Sequence, residues 1–98
     1  MADRLTDSEI ETALAELDGW KLEGGKIGRS FKFANFIQAF SFMTSAAIEA
    51  EKMDHHPEWS NVYNKVSVQL VTHDAGGVTQ LDIDLARKMN ALSGEGRH

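Results

Sequence analysis

Three histidines, His55, His56 and His73, lie close in sequence to a set of carboxylates: Glu51, Asp54, Glu58, Asp74 and Asp82. Imidazole titrates near neutral pH, so two or three of them in one pocket offer an acid and a base at the same pH. A carboxylate behind an imidazole fixes its tautomer and favours its charged form. Trp59 and Tyr63 add flat apolar surfaces nearby. The fourth histidine, His98, is the last residue, where chain ends fray. General acid–base work at a polar loop is the chemistry these types suggest.

Each feature also has a plain structural alternative. A His-His-Pro turn serves as a polar helix terminus, where imidazole meets a favourable dipole. Asp82 serves as a helix cap, and Trp59 as core. Other chemistries have less support. Adjacent histidines on an extended chain point to opposite sides, and there is no His-x-His, His-Glu-x-x-His or cysteine pair, so no metal site is expected. Neither a Gly-x-Ser-x-Gly elbow nor a Gly-rich phosphate loop is present; Gly24-Gly25 and Gly76-Gly77 lack the spacing.

These residues must be held by regular elements. Thr6-Asp7-Ser8-Glu9 is a capping box, with Leu5 and Ile10 placed as a hydrophobic staple. The helix it opens carries Leu14 and Leu17 and is expected to stop at Gly19, with an acidic solvated face of Asp7, Glu9, Glu11 and Glu16. Residues 20–23 and 26–33 alternate around Gly24-Gly25, a hairpin signal. Asn35, with Gln38 three residues on, caps a helix over about 36–53. Its stripe is read as Phe36, Phe40, Met43, Ala47 and Ala50, widened by Ile37, Phe42 and Ile48. That arc is wider than one sheet face needs, so part of it is expected to meet another subunit.

Pro57 disfavours helix at His56, which ends that helix near Asp54. Residues 59–73 read as strand, split by a bend within 61–65, with Val62, Val66, Val68 and Leu70 on one face. Residues 74–78 form a loop. Thr79 caps the last helix with Asp82 three residues on, and Leu81, Leu85, Met89 and Leu92 form its stripe up to Gly94; the tail after it is expected to be disordered. The order α-β-β-α-β-β-α predicts one α+β domain over residues 1–98, with an antiparallel sheet of about four strands and helices on one face.

Composition narrows the function. With 10 Lys and Arg against 15 Asp and Glu, the net charge is −5, which leaves no basic footprint for nucleic acid or an anionic membrane. The absence of cysteine removes disulfides and thiolate chemistry and points to the cytoplasm. No apolar run reaches the ~18 residues of a membrane helix, and the polar start does not resemble a signal peptide.

The stretch Glu51-Lys52-Met53-Asp54-His55-His56-Pro57-Glu58-Trp59-Ser60-Asn61-Val62-Tyr63-Asn64-Lys65-Val66, then Thr72-His73-Asp74, Gly77 and Asp82, resembles the pterin-4a-carbinolamine dehydratase family. The likeness extends over nearly the whole chain. It implies dehydration of a 4a-hydroxytetrahydropterin to the quinonoid dihydropterin, without metal or organic cofactor, in support of aromatic amino acid hydroxylases. It implies catalytic roles for His55, His56, His73 and Asp82. It further implies substrate contacts from Glu51, Asp54, Pro57, Trp59, Thr72, Asp74 and Ala75. A homodimer or homotetramer through the 36–53 helix is implied as well. Animal relatives also act as coactivators that bind a transcription factor through their helical surface, which leaves a non-enzymatic binding module as the competing reading. Some members carry a basic residue where this chain has Leu81.

Overall fold

The computed structural model describes residues 3–94. The expectations for the tail beyond Gly94 and for His98 lie outside the described residues. The element order is α1 (Asp7–Leu14), β1 (Lys21–Glu23), β2 (Lys26–Lys32), α2 (Phe36–Met53), β3 (Glu58–Val62), β4 (Lys65–Leu70), a 3-10 turn (His73–Ala75) and α3 (Gln80–Leu92). The strands form one antiparallel sheet in the order β1-β2-β4-β3. The expected α+β class and element order hold.

One sheet face is apolar and covered. Ile27, Phe31, Val66, Val68 and Leu70 are buried there beneath helical residues such as Phe42, Ala46, Leu85 and Met89. The opposite face carries Lys21, Glu23, Ser30, Lys32, Glu58, Ser60, Lys65, Ser67 and Gln69, exposed or half-buried. Period-two alternation thus becomes a two-layer structure with one wet face. The Gly24-Gly25 turn has φ of 60° and 80°, the left-handed pair that a two-residue hairpin turn requires. At the far end of the sheet, Asn90 Oδ1 accepts from Trp20 Nε1 (2.8 Å) and Arg29 Nη1 (2.5 Å). Asn90 Nδ2 donates to the Asp18 carbonyl at 3.2 Å. These bonds fasten the end of α3 to the first hairpin.

Several expectations are corrected. Helix α1 ends at Leu14, not near Gly19. The chain tightens into i→i−3 turns, Glu16 N–H to Ala13 and Leu17 N–H to Leu14, which swing Leu17 and Trp20 into the core. Helix α2 has the expected bounds, but its core face is Ala39, Phe42, Ala46 and Ala50. Phe42 packs its ring 4.7 Å from Phe31 and 5.1 Å from Phe33, while the small alanines let the helix lie close to α3 and β4. Phe36, Phe40, Ile37 and Ile48, assigned to the stripe, are exposed instead. Both faces satisfy the three- and four-residue spacing, and bulk does not tell which one is inside.

The 59–73 run is two strands joined at Tyr63-Asn64, with Tyr63 at φ 51°. A two-residue reversal pairs Val62 with Lys65 and puts Val62 on the open face, 76% exposed, rather than beside Val66. His73 opens the 3-10 turn three residues past the strand end. No helix among the described residues is long and apolar enough to cross a membrane.

Candidate functional site

The site is built where α2 ends, β4 ends and α3 begins. Helix α2 stops because Asp54 turns left-handed, at φ 51° and ψ 43°, a conformation that Asp tolerates better than most residues. His55 N–H then returns to the Ala50 carbonyl at 3.0 Å, a Schellman-type closure. Pro57 keeps the next residues extended, so the two histidines diverge. His55 is buried, whereas the His56 side chain is 59% exposed.

Asp82 is fully buried. Its Oδ1 lies 2.5 Å from His55 Nε2. Its Oδ2 accepts from the Thr72 hydroxyl (2.8 Å) and from Thr79 N–H (2.9 Å). Since the Thr72 hydrogen is given to Asp82, the Thr79 hydroxyl must donate to Thr72 across their 2.7 Å contact. Thr79 Oγ1 in turn accepts from Leu81 N–H at 3.2 Å. Thus the capping carboxylate of α3 also holds the His55 ring and the end of β4. The capping role is real, and it is one of two.

A second bond ties the same segments together. His73 Nε2 lies 2.9 Å from Glu58 Oε2, and Glu58 follows His55 by three residues. Segments 55–58 and 72–73 are therefore joined at two points, through His55–Asp82–Thr72 and through Glu58–His73. This brings His73 beside the His55 segment although they are far apart along the chain. The carboxyl of Glu58 is held below its ordinary value of 4.5, first by its bond to Lys26 and next by its bond to His73.

The other expected residues take different places. His56 Nε2 meets Glu51 Oε1 at 2.8 Å, on the exposed surface. Asp54 stands exposed at the helix end, and Trp59 is half-buried against the core. Thr72 N–H is bonded to the Gly77 carbonyl, and Ala75 N–H to the Thr72 carbonyl, so both backbone donors are already committed within the loop. Asp74 is exposed in the 3-10 turn. Leu81 is half-buried and lines a cavity of about 560 Å³ with Met53, Asp84 and Arg87. Sequence reasoning counted Glu58 among the nearby carboxylates but gave neither it nor Thr79 a role in the site. The signal for Glu58 was its place just after Pro57, at the start of a strand; Thr79 was visible only as a cap.

The fold and this cluster define a two-layer α+β protein with three carboxylate-backed imidazoles near one end, His55, His56 and His73. Residues 3–92 match the family model described as pterin 4 alpha carbinolamine dehydratase. Two curated relatives carry that family's name. One, from Solibacter usitatus, is 54% identical over 93 residues, covering 95% of this chain and 98% of its own. The other, from Brucella ovis, is 58% identical over 94 residues, covering 94% and 97%. The crystal structure of a transcriptional coactivator/pterin dehydratase from Brucella melitensis matches with a TM-score of 0.91 at 58% identity, over 94% of this chain and 100% of that one. A pterin dehydratase-like protein described as a RuBisCO assembly factor in the alpha-carboxysome shares the fold, with a TM-score of 0.64 at 20% identity over 76% and 87%. The chain belongs to the pterin-4a-carbinolamine dehydratase family.

Two outcomes follow from this geometry. Asp82→Ala leaves three donors without this acceptor, two of them buried and the Thr72 hydroxyl half-buried, and should lower unfolding free energy by about 3 kcal/mol in urea denaturation; a loss under about 1 kcal/mol contradicts the cluster. Glu58, lowered in the folded state, contributes stability that is complete above pH 4.5 and fades as pH falls through its depressed folded value. The stability difference between wild type and Glu58→Gln should therefore be constant at neutral pH and shrink in that acid window. A difference that grows on acidification contradicts the assignment.

Proposed function

We propose that this chain dehydrates a 4a-hydroxytetrahydropterin to the quinonoid dihydropterin, returning the pterin cofactor to aromatic amino acid hydroxylases. One proton must reach the departing 4a-hydroxyl, the C4a–O bond breaks to release water, and the neighbouring ring N5 gives up its proton as the C=N bond forms. Both transfers are general acid–base steps, worth about 10²–10⁴-fold each. His55 and His73 exchange these protons, and His56 positions the ring. Asp82 orients His55, while Glu51 stands behind His56 on the surface. Asp54, Pro57, Trp59 and the 72–75 loop shape the substrate's surroundings. No metal or organic cofactor enters the reaction.

The observation that supports this most is the double tie between segments 55–58 and 72–73. An imidazole held through Nε2 by a carboxylate keeps Nδ1 as its second proton-carrying position. That holds for His55 on Asp82 and for His73 on Glu58. Family membership supplies the substrate class. Dehydration kinetics on His55→Ala and His73→Ala should each show kcat reduced by about 10²-fold or more; a near-full rate in either would remove the proton-exchange assignment.

The exposed apolar side of α2 is the surface we assign to self-association. Phe36, Ile37, Phe40 and Ile48 are 49%, 74%, 53% and 57% exposed on one helix. An aligned copy of the helix would cover this face without disturbing the site's polar cluster. Ile37→Asp should shift sedimentation toward the monomer while leaving the far-UV spectrum unchanged; an unshifted mass would exclude this face.

A further inference from the structure

The ion pair between Lys26 and Glu58 joins two strands that do not pair with each other. β4 lies between β2 and β3, and the bridge crosses it on the open face, with Lys26 Nζ 2.6 Å from Glu58 Oε1. Its rung runs Glu58, Gln69, Gly28, Lys21 across the four strands. Gly28 places no side chain on that rung, so Lys26, two residues away on β2, can lean across. The second oxygen of Glu58 faces His73 Nε2 at 2.9 Å. One carboxylate thus addresses a lysine on one side and an imidazole on the other.

His73 has little else to fix it. Its side chain is 75% exposed, and a ring so placed rotates freely unless a partner holds it. A carboxylate on Nε2 selects the tautomer with hydrogen on that nitrogen and leaves Nδ1 as acceptor. We propose that Glu58 is a positioning residue for His73 in the pterin reaction and that Lys26 orients Glu58. This rests on the role given to His73 above. Lys26 acts first on the Glu58 carboxyl and His73 second, and the depressed titration keeps Glu58 ionised throughout the neutral range. The relay is separate from the Asp82 cluster: His55 is set by a buried acceptor, His73 by a solvent-facing one whose own orientation is set from β2.

Dehydration kinetics on a defined set of variants test this. Glu58→Gln should lower kcat about 10-fold, the size of effect that carboxylates behind metal-bound imidazoles show at the low end, with KM within about twofold of wild type. Glu58→Asp should recover part of that loss. Lys26→Met should produce a smaller loss that disappears in the Glu58→Gln background. Glu58→Gln should add nothing in the His73→Ala background, because a residue acting through His73 has no target once the ring is gone. A kcat for Glu58→Gln equal to wild type overturns the inference. So does an undiminished further loss in the His73→Ala background, since it would show a role independent of that ring. If His73→Ala alone keeps the full rate, the proton-exchange assignment falls and the relay with it. If His73→Ala is impaired and Glu58→Gln is not, only the relay falls.

Discussion

A carboxyl group removed from water costs several kcal/mol unless donors surround it. Asp82 meets that demand with one local group, the Thr79 backbone of its own helix cap, and two from other elements, the His55 ring and the Thr72 hydroxyl. The end of α2, the end of β4 and the start of α3 cannot separate without stranding this carboxyl. No buried side-chain nitrogen or oxygen among the described residues lacks a partner. The constraint that closes the fold at this end therefore also fixes the geometry of the candidate site.

The two candidate proton carriers are held in contrasting ways. His55 is immobilised in the interior by a carboxylate that also caps a helix, so its orientation is as firm as the fold itself. His73 sits on the surface, held by Glu58, which is shared with Lys26. One imidazole is thus fixed by the interior and the other by a solvent-facing ion pair. The sheet's polar open face carries Glu58, the partner of this second imidazole, and the apolar residues Phe36, Ile37, Phe40 and Ile48 of α2 are exposed elsewhere.

Much of this was legible in the sequence because local rules dominate there. The Thr6 and Thr79 capping boxes, the Gly24-Gly25 turn and the α2 boundaries at Asn35 and Asp54 all depend on side chain-to-backbone chemistry within a few residues. Reading failed where size or parity decided. The core face of α2 is chosen by how closely alanines allow neighbours to approach, which periodicity alone does not encode. Val62 moved to the open face because a two-residue turn inverts the alternation. In the site, Asp82 could be placed as a cap, but its bond to His55 spans 27 residues and arises only from tertiary packing. Glu58 was visible as a nearby carboxylate, but its role was not, for the same reason: its partners Lys26 and His73 are 32 and 15 residues away.

The central claim is that both rings serve one substrate. A crystal structure with a reduced pterin that cannot eliminate water would examine it most directly. The bound ring should lie between His55 and His73, each presenting Nδ1 within about 3.2 Å of a pterin nitrogen or oxygen. A pterin seated elsewhere, or one reached by His55 while the His73 ring stays turned away, would contradict it.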